Sequence, residues 1–291
     1  MTEPNHILYY LKKSTEFLEK KGIPNPRVDA EWILSDLLNL PRIKLYAKFE
    51  TPLSETETKI YRERIVERGK RKPVAYITGK KGFHKFDFIV NEHVLIPRPE
   101  TEELVEWFYK NHKRFFNDED QIKILDLCTG SGCIGISISR LLTNVDVWLS
   151  DLSEDAIAVA KQNHMAIPNP KQQELSFLQS DLFQNFPEAL TFDVILSNPP
   201  YIPSSEKESL MEDVLSYEPH IALFVEDFFG FHESLLSAAF KKLNPNGILL
   251  LETHPEYIEE LEQRAGASGF QESQILLDAS SKKRFLFLRK I

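Results

Sequence analysis

Residues 122–142 read IKILDLCTGSGCIGISISRLL. Ile122–Leu127 is a short, mostly apolar run with the pattern of a buried strand. Cys133–Leu142 reads as a helix, and Asp126-Leu127-Cys128-Thr129-Gly130-Ser131-Gly132 joins the two. Glycines let a backbone approach a ligand closely, and the free N–H groups of a helix start attract an anion. Strand, glycine-rich loop and helix in this order open an α/β layer architecture.

The same alternation continues downstream. Strands are expected at Val145–Ser150, Leu175–Gln179, Phe192–Ser197, Gly247–Glu252, Gln274–Leu277 and Phe285–Leu288. Helices are expected at Ser153–Met165, Phe231–Leu243 and Glu256–Ala265. With the first strand this predicts a seven-stranded, doubly wound α/β sheet with right-handed crossovers. Ligands of such sheets bind outside the carboxyl ends of the strands, near the point where strand order reverses. Asp126, Ser150-Asp151, Asp181 and Asn198 each lie at or just after a strand's C-terminal end. They are therefore expected to converge on one edge.

Upstream the pattern differs. Residues 5–80 read as short helices punctuated by Pro24, Pro26, Pro41, Pro52 and Pro73. Ser54 followed by Glu57 is a capping box opening a charged helix to about Gly69. Phe86, Phe88 and Val90 alternate with Asp87 and Ile89, and Asn91-Glu92 before Val94-Leu95-Ile96 suggests a hairpin turn. Pro97-Arg98-Pro99 stops it. The expected organisation is a helical bundle domain over residues 1–80, a β-hairpin linker over 81–96 and an α/β domain over 97–291.

The 291 residues carry a net charge of −9, with 42% hydrophobic and 27% charged side chains, ordinary for a soluble globular protein. No apolar run is long enough for a signal peptide or a membrane span. The two cysteines, Cys128 and Cys133, exclude a disulfide framework and fit a reducing, cytoplasmic setting. No zinc site is expected around them. The acidic balance argues against stable nucleic-acid binding. A local exception runs through Arg62, Arg64, Arg68, Lys70, Arg71 and Lys72 to Lys80 and Lys81. It reads first as a solvated helix face, and second as a docking surface for an acidic partner or RNA.

Gly130-Ser131-Gly132-Cys133-Ile134-Gly135 fits G-x-G-x-x-G, which brings a dinucleotide into consideration. Asp151 ends the second strand, where a carboxylate can bind both ribose hydroxyls of a nucleoside cofactor. A helix-capping role is its alternative. Asp126 at the first strand end favours S-adenosyl-L-methionine over a dinucleotide, either meeting the cofactor's ammonium or holding the loop. Asp181 is placed to define an adenine pocket. After the strand at Phe192–Ser197 comes Asn198-Pro199-Pro200-Tyr201. Two prolines cannot continue a strand, so the chain leaves the sheet stiffly. An amide oxygen and proline carbonyls then suit a flat –NH2 group, with an aromatic ring to pack on its face. A rigid strand exit alone is the plainer alternative.

These residues resemble the release-factor glutamine methyltransferase family (HemK/PrmC). Pro73 to Gly79, Phe83 to Phe88, Leu95-Ile96-Pro97-Arg98-Pro99-Glu100-Thr101-Glu102, the loop at Asp126–Gly132, Gln179-Ser180-Asp181, Ser197 to Ile202 and Tyr217-Glu218-Pro219-His220 match in order. The resemblance implies a Rossmann-like methyltransferase sheet. It implies methylation of the glutamine side-chain nitrogen in the Gly-Gly-Gln motif of class-1 peptide chain release factors. Under it Cys128, Thr129, Gly130, Ser131 and Gly132 wrap the methionine end of the cofactor. Asp151 binds the ribose, and Asp181 and Leu182 lie beside the adenine. Asn198 holds the substrate amide, with Pro199, Pro200 and Tyr201 completing its pocket. The helical front domain would help grip the release factor. Cys128 replaces a third loop glycine, and Phe224 to Asp227 and Glu252 to Glu256 depart from the family pattern. The alternative function is an adenine amino-methyltransferase acting on RNA or DNA, which would flip a base into the pocket.

Overall fold

The computed structural model describes residues 5–117 and 119–291. They divide into two compact units. The first comprises residues up to Lys80 together with Met211–Tyr217, the second Lys81–Leu210 and Glu218–Ile291. The hairpin segment thus clusters with the second unit, and one later helix with the first.

The first unit contains helices α1 (Ile7–Lys20), α2 (Pro26–Leu37), α3 (Arg42–Tyr46), α4 (Glu55–Gly69) and α5 (Val74–Thr78). The capping box forms as expected: Glu57 N–H donates to Ser54 Oγ, and Ser54 N–H donates to Glu57 Oε2. Leu11, Leu18, Ile33, Leu34, Leu45 and Tyr61 are fully buried between the helices. The basic run is part solvated and part paired: Arg62, Lys70 and Lys80 are exposed, whereas Arg68 is buried. Arg68 is 5% exposed and donates to Asp29 Oδ2 and Asp213 Oδ2, both at 2.7 Å. Arg71 pairs with Glu212 at 2.8 Å, and Arg64 and Lys80 both pair with Asp36. These four cations are paired with acids of the same unit, and Arg68 and Arg71 clasp the helix at Glu212–Tyr217.

The second unit opens with strands β1 (Lys80–Phe83) and β2 (Phe86–Ile89), then α6 (Pro99–Asn111), β3 (Ile122–Leu127), α7 (Cys133–Leu141), β4 (Val145–Asp151) and α8 (Glu154–Ala166). It continues with β5 (Leu175–Gln179), β6 (Phe192–Ser197) and β7 (Ile202–Pro203). Past α9 (Glu212–Tyr217) come β8 (Phe224–Val225), α10 (Phe228–Lys242), β9 (Leu243–Glu252), α11 (Ile258–Ala267), β10 (Glu272–Leu277) and β11 (Lys283–Arg289). The hairpin differs from expectation. Its turn is at His84-Lys85, with His84 at φ +54°, and β1 and β2 are its strands. Val94–Ile96 is not a strand: the Ile96 N–H donates to Glu218 Oε2 at 3.1 Å, and Pro97 and Pro99 have no N–H for a ladder.

The seven-stranded sheet has the order β10-β11-β9-β6-β3-β4-β5. All neighbours from β9 to β5 are parallel, and β11 runs antiparallel to both β9 and β10. Strand residues alternate between two cores, as a period of two requires. Ile124 packs with Phe88, Leu104, Phe108, Ile134 and Ile138, whereas Leu125 packs with Ile195, Leu235, Leu236, Leu249 and Leu261. Helices therefore cover both faces, which explains why the central strands are apolar on each side. The chain enters at β3, moves outward through β4 and β5, and returns to the other side of β3 with β6. The loops after β3 and β6 part at that switch point.

Candidate active site

A cavity of about 430 Å³ lies at the carboxyl ends of β3, β4, β5 and β6, and all its lining residues belong to the second unit. That size suits a nucleoside-sized ligand. Of the residues picked out in the sequence, Cys128, Thr129, Gly130, Ser131, Asp151, Asp181, Leu182, Asn198 and Pro200 line it. Asp126, Gly132, Pro199 and Tyr201 adjoin the lining without forming part of it. Because the four strands are parallel, their C-terminal polar groups reach one edge, as the topology predicted.

The β3 loop is built from backbone. Asp126 is fully buried; its Oδ2 accepts from the Thr129 hydroxyl and, at 2.8 Å, from the Gly135 N–H. Its other oxygen, Oδ1, is buried without a partner among the described residues. Burial pushes its pKa up to about 7, against the lowering effect of the two donors and with a small push from the Asp151 charge. Asp126 thus holds loop to helix. Gly135 has to be glycine for that contact, since a Cβ there would stand 2.9 Å from the Asp126 Cβ. Cys128, Gly130 and Gly132 all have positive φ, at +61°, +53° and +82°. Burial also pushes the Cys128 thiol well above its ordinary range, so it stays neutral. Asp151 accepts from the Gly130 N–H at 2.8 Å and the Ser153 N–H at 3.0 Å. Burial raises its pKa as well. It therefore braces the glycine loop and the turn ahead of α8, whose N-cap is Ser153 and not Asp151, and still lines the cavity. Asp181 is exposed at the end of β5 and accepts from Gln184, and Leu182 beside it has φ +46°. The Ser150 hydroxyl is buried on the lining without a partner among the described residues. A carboxylate at the end of β4, an orphaned hydroxyl and a close-approach loop are a donor and acceptor set that fits S-adenosyl-L-methionine.

The side of the cavity after β6 is built from side chains. The Ser197 hydroxyl donates to the Leu127 carbonyl at 2.7 Å and ties the ends of β6 and β3 together. Asn198 Nδ2 donates to Thr101 Oγ1 at 3.0 Å, and Thr101 Oγ1 donates to Glu252 Oε2 at 2.8 Å. The Tyr201 hydroxyl donates to the other Glu252 oxygen at 3.3 Å. Glu252 is 1% exposed, and burial pushes its pKa up to about 7, opposed by Thr101, Arg284 and Tyr201. Burial raises the Tyr201 phenol too, so it remains a donor.

Several of these residues escaped the sequence reading. Thr101 was visible only as part of a distinctive stretch, and Glu252 only as a departure from the family pattern. Two other distinctive stretches prove to be one structure: Arg98 Nη2 donates to Glu218 Oε1 at 2.7 Å, with Glu218 buried. Asn163 is fully buried and joins β2 to the glycine loop, accepting from Ile89 N–H and donating to the Ile89 and Ser131 carbonyls. A lone asparagine within a helix gave no signal for that. His220 packs edge-on against Phe224 and is not part of the lining. Among the described residues, no group of three His, Cys, Asp or Glu is placed to hold a metal, and no helix is long and apolar enough to cross a membrane.

Residues 10–79 match the family model described as PrmC N-terminal domain, and residues 107–220 match the Methyltransferase small domain. The release factor glutamine methyltransferase of Leptospira interrogans is 47% identical over 290 residues, covering 100% of both chains. That of Chlorobaculum tepidum is 36% identical, with 96% of each chain covered. A solved 16S rRNA N2 methyltransferase from T. thermophilus, in complex with AdoMet and guanosine, matches at TM-score 0.50 and 18% identity, over 73% of this chain and 50% of that one. The last is a likeness of fold. A relative 47% identical from end to end decides the matter of descent, and the chain belongs to the release factor glutamine methyltransferase family.

Proposed function

We propose that this protein transfers a methyl group from S-adenosyl-L-methionine to the side-chain amide nitrogen of the Gly-Gly-Gln glutamine in class-1 peptide chain release factors. The observation that carries the reading is the orientation of Asn198. Asn198 lines the cavity and its Nδ2 donates to Thr101 Oγ1 at 3.0 Å, which in this reading leaves Oδ1 to accept from a substrate amide.

When bound, the cofactor would supply an electrophilic methyl on sulfur, the S–C bonding pair staying on sulfur as a neutral thioether while the amide nitrogen gives up one hydrogen as a proton to solvent. The protein's residues do the rest by placement. The β3 loop and Asp151 would hold the cofactor's amino-acid end and ribose, with Asp181 and Leu182 beside its base. Asn198 Oδ1 and the Pro199 carbonyl would each accept one hydrogen of the substrate amide. A glutamine nitrogen is a poor nucleophile because its lone pair is delocalised. Fixing both N–H bonds favours pyramidalisation and aims the lone pair at the methyl. This is catalysis by positioning and oriented dipoles. Pro200 and Tyr201 would close the pocket around the amide.

In the same reading the helical residues 1–80 help recognise the release factor, residues 81–96 link, and residues 97–291 carry the chemistry. The protein works in the cytoplasm, on protein and without stable nucleic-acid binding. The test is incubation with isotopically labelled methyl donor and, separately, a release factor or total RNA. Mass spectrometry of the Gly-Gly-Gln peptide should show one added methyl on glutamine. Label found only in RNA would instead support the adenine amino-methyltransferase.

A further inference from the structure

We infer that Thr101 and Glu252 are a positioning pair that decides which end of the Asn198 amide faces the substrate. The inference rests on the reading of Asn198 as the acceptor for the substrate amide.

An asparagine side chain has a donor end and an acceptor end of nearly equal shape, and only its partners choose between them. Here the choice is made two residues away. Ionised Glu252 can only accept, so the single Thr101 hydroxyl hydrogen points to Glu252 Oε2, 2.8 Å away. The Thr101 oxygen is then left as an acceptor, and it lies 3.0 Å from Asn198 Nδ2. A flipped amide would set two oxygens against each other with no hydrogen between them. The acceptor end of Asn198 is thereby held toward the substrate before any substrate arrives.

Glu252 is not explained by a salt bridge. The Nε of Arg284, which is close enough to influence its charge, bonds Asp278 instead, at 3.2 Å. Burying a carboxylate against hydroxyl donors is costly, and an apolar residue would serve the end of β9 better if packing were its only task. Its second oxygen takes the Tyr201 hydroxyl. One buried carboxylate therefore orients both ends of Asn198-Pro199-Pro200-Tyr201, directly at the tyrosine and through Thr101 at the asparagine.

The experiment compares wild type with Thr101→Val, Thr101→Ser and Glu252→Gln. Steady-state methylation of a release factor, methyl-donor binding by calorimetry, and the side-chain amide NMR signals of Asn198 are measured on each. Thr101→Val keeps the shape and loses the hydroxyl. Its kcat should fall about 10-fold, the loss of one hydrogen bond to a functional dipole. Its affinity for the methyl donor should stay within about 2-fold, where a hydrogen bond worth ~10-fold would be plain. Thr101→Ser should restore kcat. In Glu252→Gln the new amide can donate to Thr101 and free the hydroxyl to face Asn198, so kcat should fall at least as far. In wild type one Asn198 amide proton should be shifted and protected, and Thr101→Val should abolish this. The pair is overturned if Thr101→Val keeps wild-type kcat and amide signals, or if Thr101→Ser is as poor as Thr101→Val. It is equally overturned if kcat is lost only together with methyl-donor binding. Should wild type fail to methylate any release factor, the proposed function falls, and the NMR comparison still decides the orientation of Asn198.

Discussion

Two buried acids, one near the end of β3 and one ending β9 with β6 between those strands, separate the two halves of the site. Asp126 and Glu252 are both fully or almost fully buried, and burial pushes both up to about 7. Asp126 spends a single oxygen on its bonds, taking Thr129 and Gly135 on Oδ2. A proton on its unpartnered Oδ1 would leave both bonds standing. Glu252 spends both oxygens, one on Thr101 and one on Tyr201. A proton on either one would displace a bond. The β3 loop is thus shaped mainly by backbone, and its buried acid keeps its two bonds in either charge state. The amide side is made from side chains whose donor and acceptor roles are coupled in series.

The largest effect should come from the end of that series. Asn198→Ala should lower methyl transfer by about 10²–10³-fold, the usual cost of removing one preorganised polar group at the reacting centre. Methyl-donor binding measured by calorimetry should fall far less than transfer, because in this reading the β3 loop and Asp151 hold the donor and Asn198 contributes only one lining side chain. Loss of binding in this variant would show that the two halves are not separate.

Changing pH should separate the two acids. A carboxyl whose pKa is higher in the folded state than its ordinary 3.8 binds its proton more readily when folded. The stability that Asp126 contributes is therefore complete below about pH 4 and is lost as pH rises through about 7. Asp126→Asn keeps an acceptor oxygen for Thr129 and Gly135 and removes the titration. It should flatten the fall of unfolding free energy between about pH 4 and 7 by up to ~1.4 kcal/mol per pH unit. Urea titrations at several pH values would read it. Glu252 is faced by the Thr101 and Tyr201 hydroxyls and by the charges of Arg284 and Glu100. Its ionised form is the one that sets the relay, so kcat should rise as pH rises through about 7. Glu252→Gln should lack that limb of the profile. A wild-type kcat that is flat from pH 6 to 8 (on the order of one pH unit either side of that value) would separate Glu252 from the relay.

The backbone half of the site was much the more legible in the sequence. Strand periodicity and the glycine loop locate Asp126, Asp151, Asp181 and Asn198 at strand ends, and parallel topology then forces those ends together. Nothing local announces the other half. Thr101 and Glu252 are 151 positions apart, and Arg98 and Glu218 are 120 apart, so each pairing exists only once the sheet has formed. The hairpin shows the opposite hazard. Asn91-Glu92 looks like a turn, yet the chain turns at His84-Lys85, which lacks the usual Asn-Gly or Asp-Gly signal. Within the basic run from Arg62 to Lys81, Arg68 and Arg71 look like surface cations until Glu212 and Asp213 arrive from far along the chain.

Within the backbone half, the two loop glycines should differ. Gly132 has φ +82°, and a Cβ there would come within 2.7 Å of Ile136 Cδ1. Gly130 has φ +53° but would meet nothing within 4 Å. Gly132→Ala adds crowding to backbone strain and should cost about 2–3 kcal/mol of unfolding free energy, whereas Gly130→Ala should cost only about 1. Equal losses would mean that strain alone governs the loop.

The smallest effect tests the same division at Cys128, the residue that replaces a loop glycine. It sits at φ +61°, where a side chain is strained. Its thiol packs partly against the second core and is held neutral, so it offers a ligand no charge. Cys128→Gly should relieve the strain, lose a small apolar contact and gain unfolded-chain entropy. These terms oppose one another and should leave stability within about 1 kcal/mol of wild type. If the loop acts through its backbone, methyl-donor affinity should also stay within about 3-fold, well short of the ~10-fold that one lost hydrogen bond brings. A shift of ~10-fold or more, read by calorimetry, would mean that the β3 loop itself acts through a side chain. The contrast with Asn198 would then be one of degree.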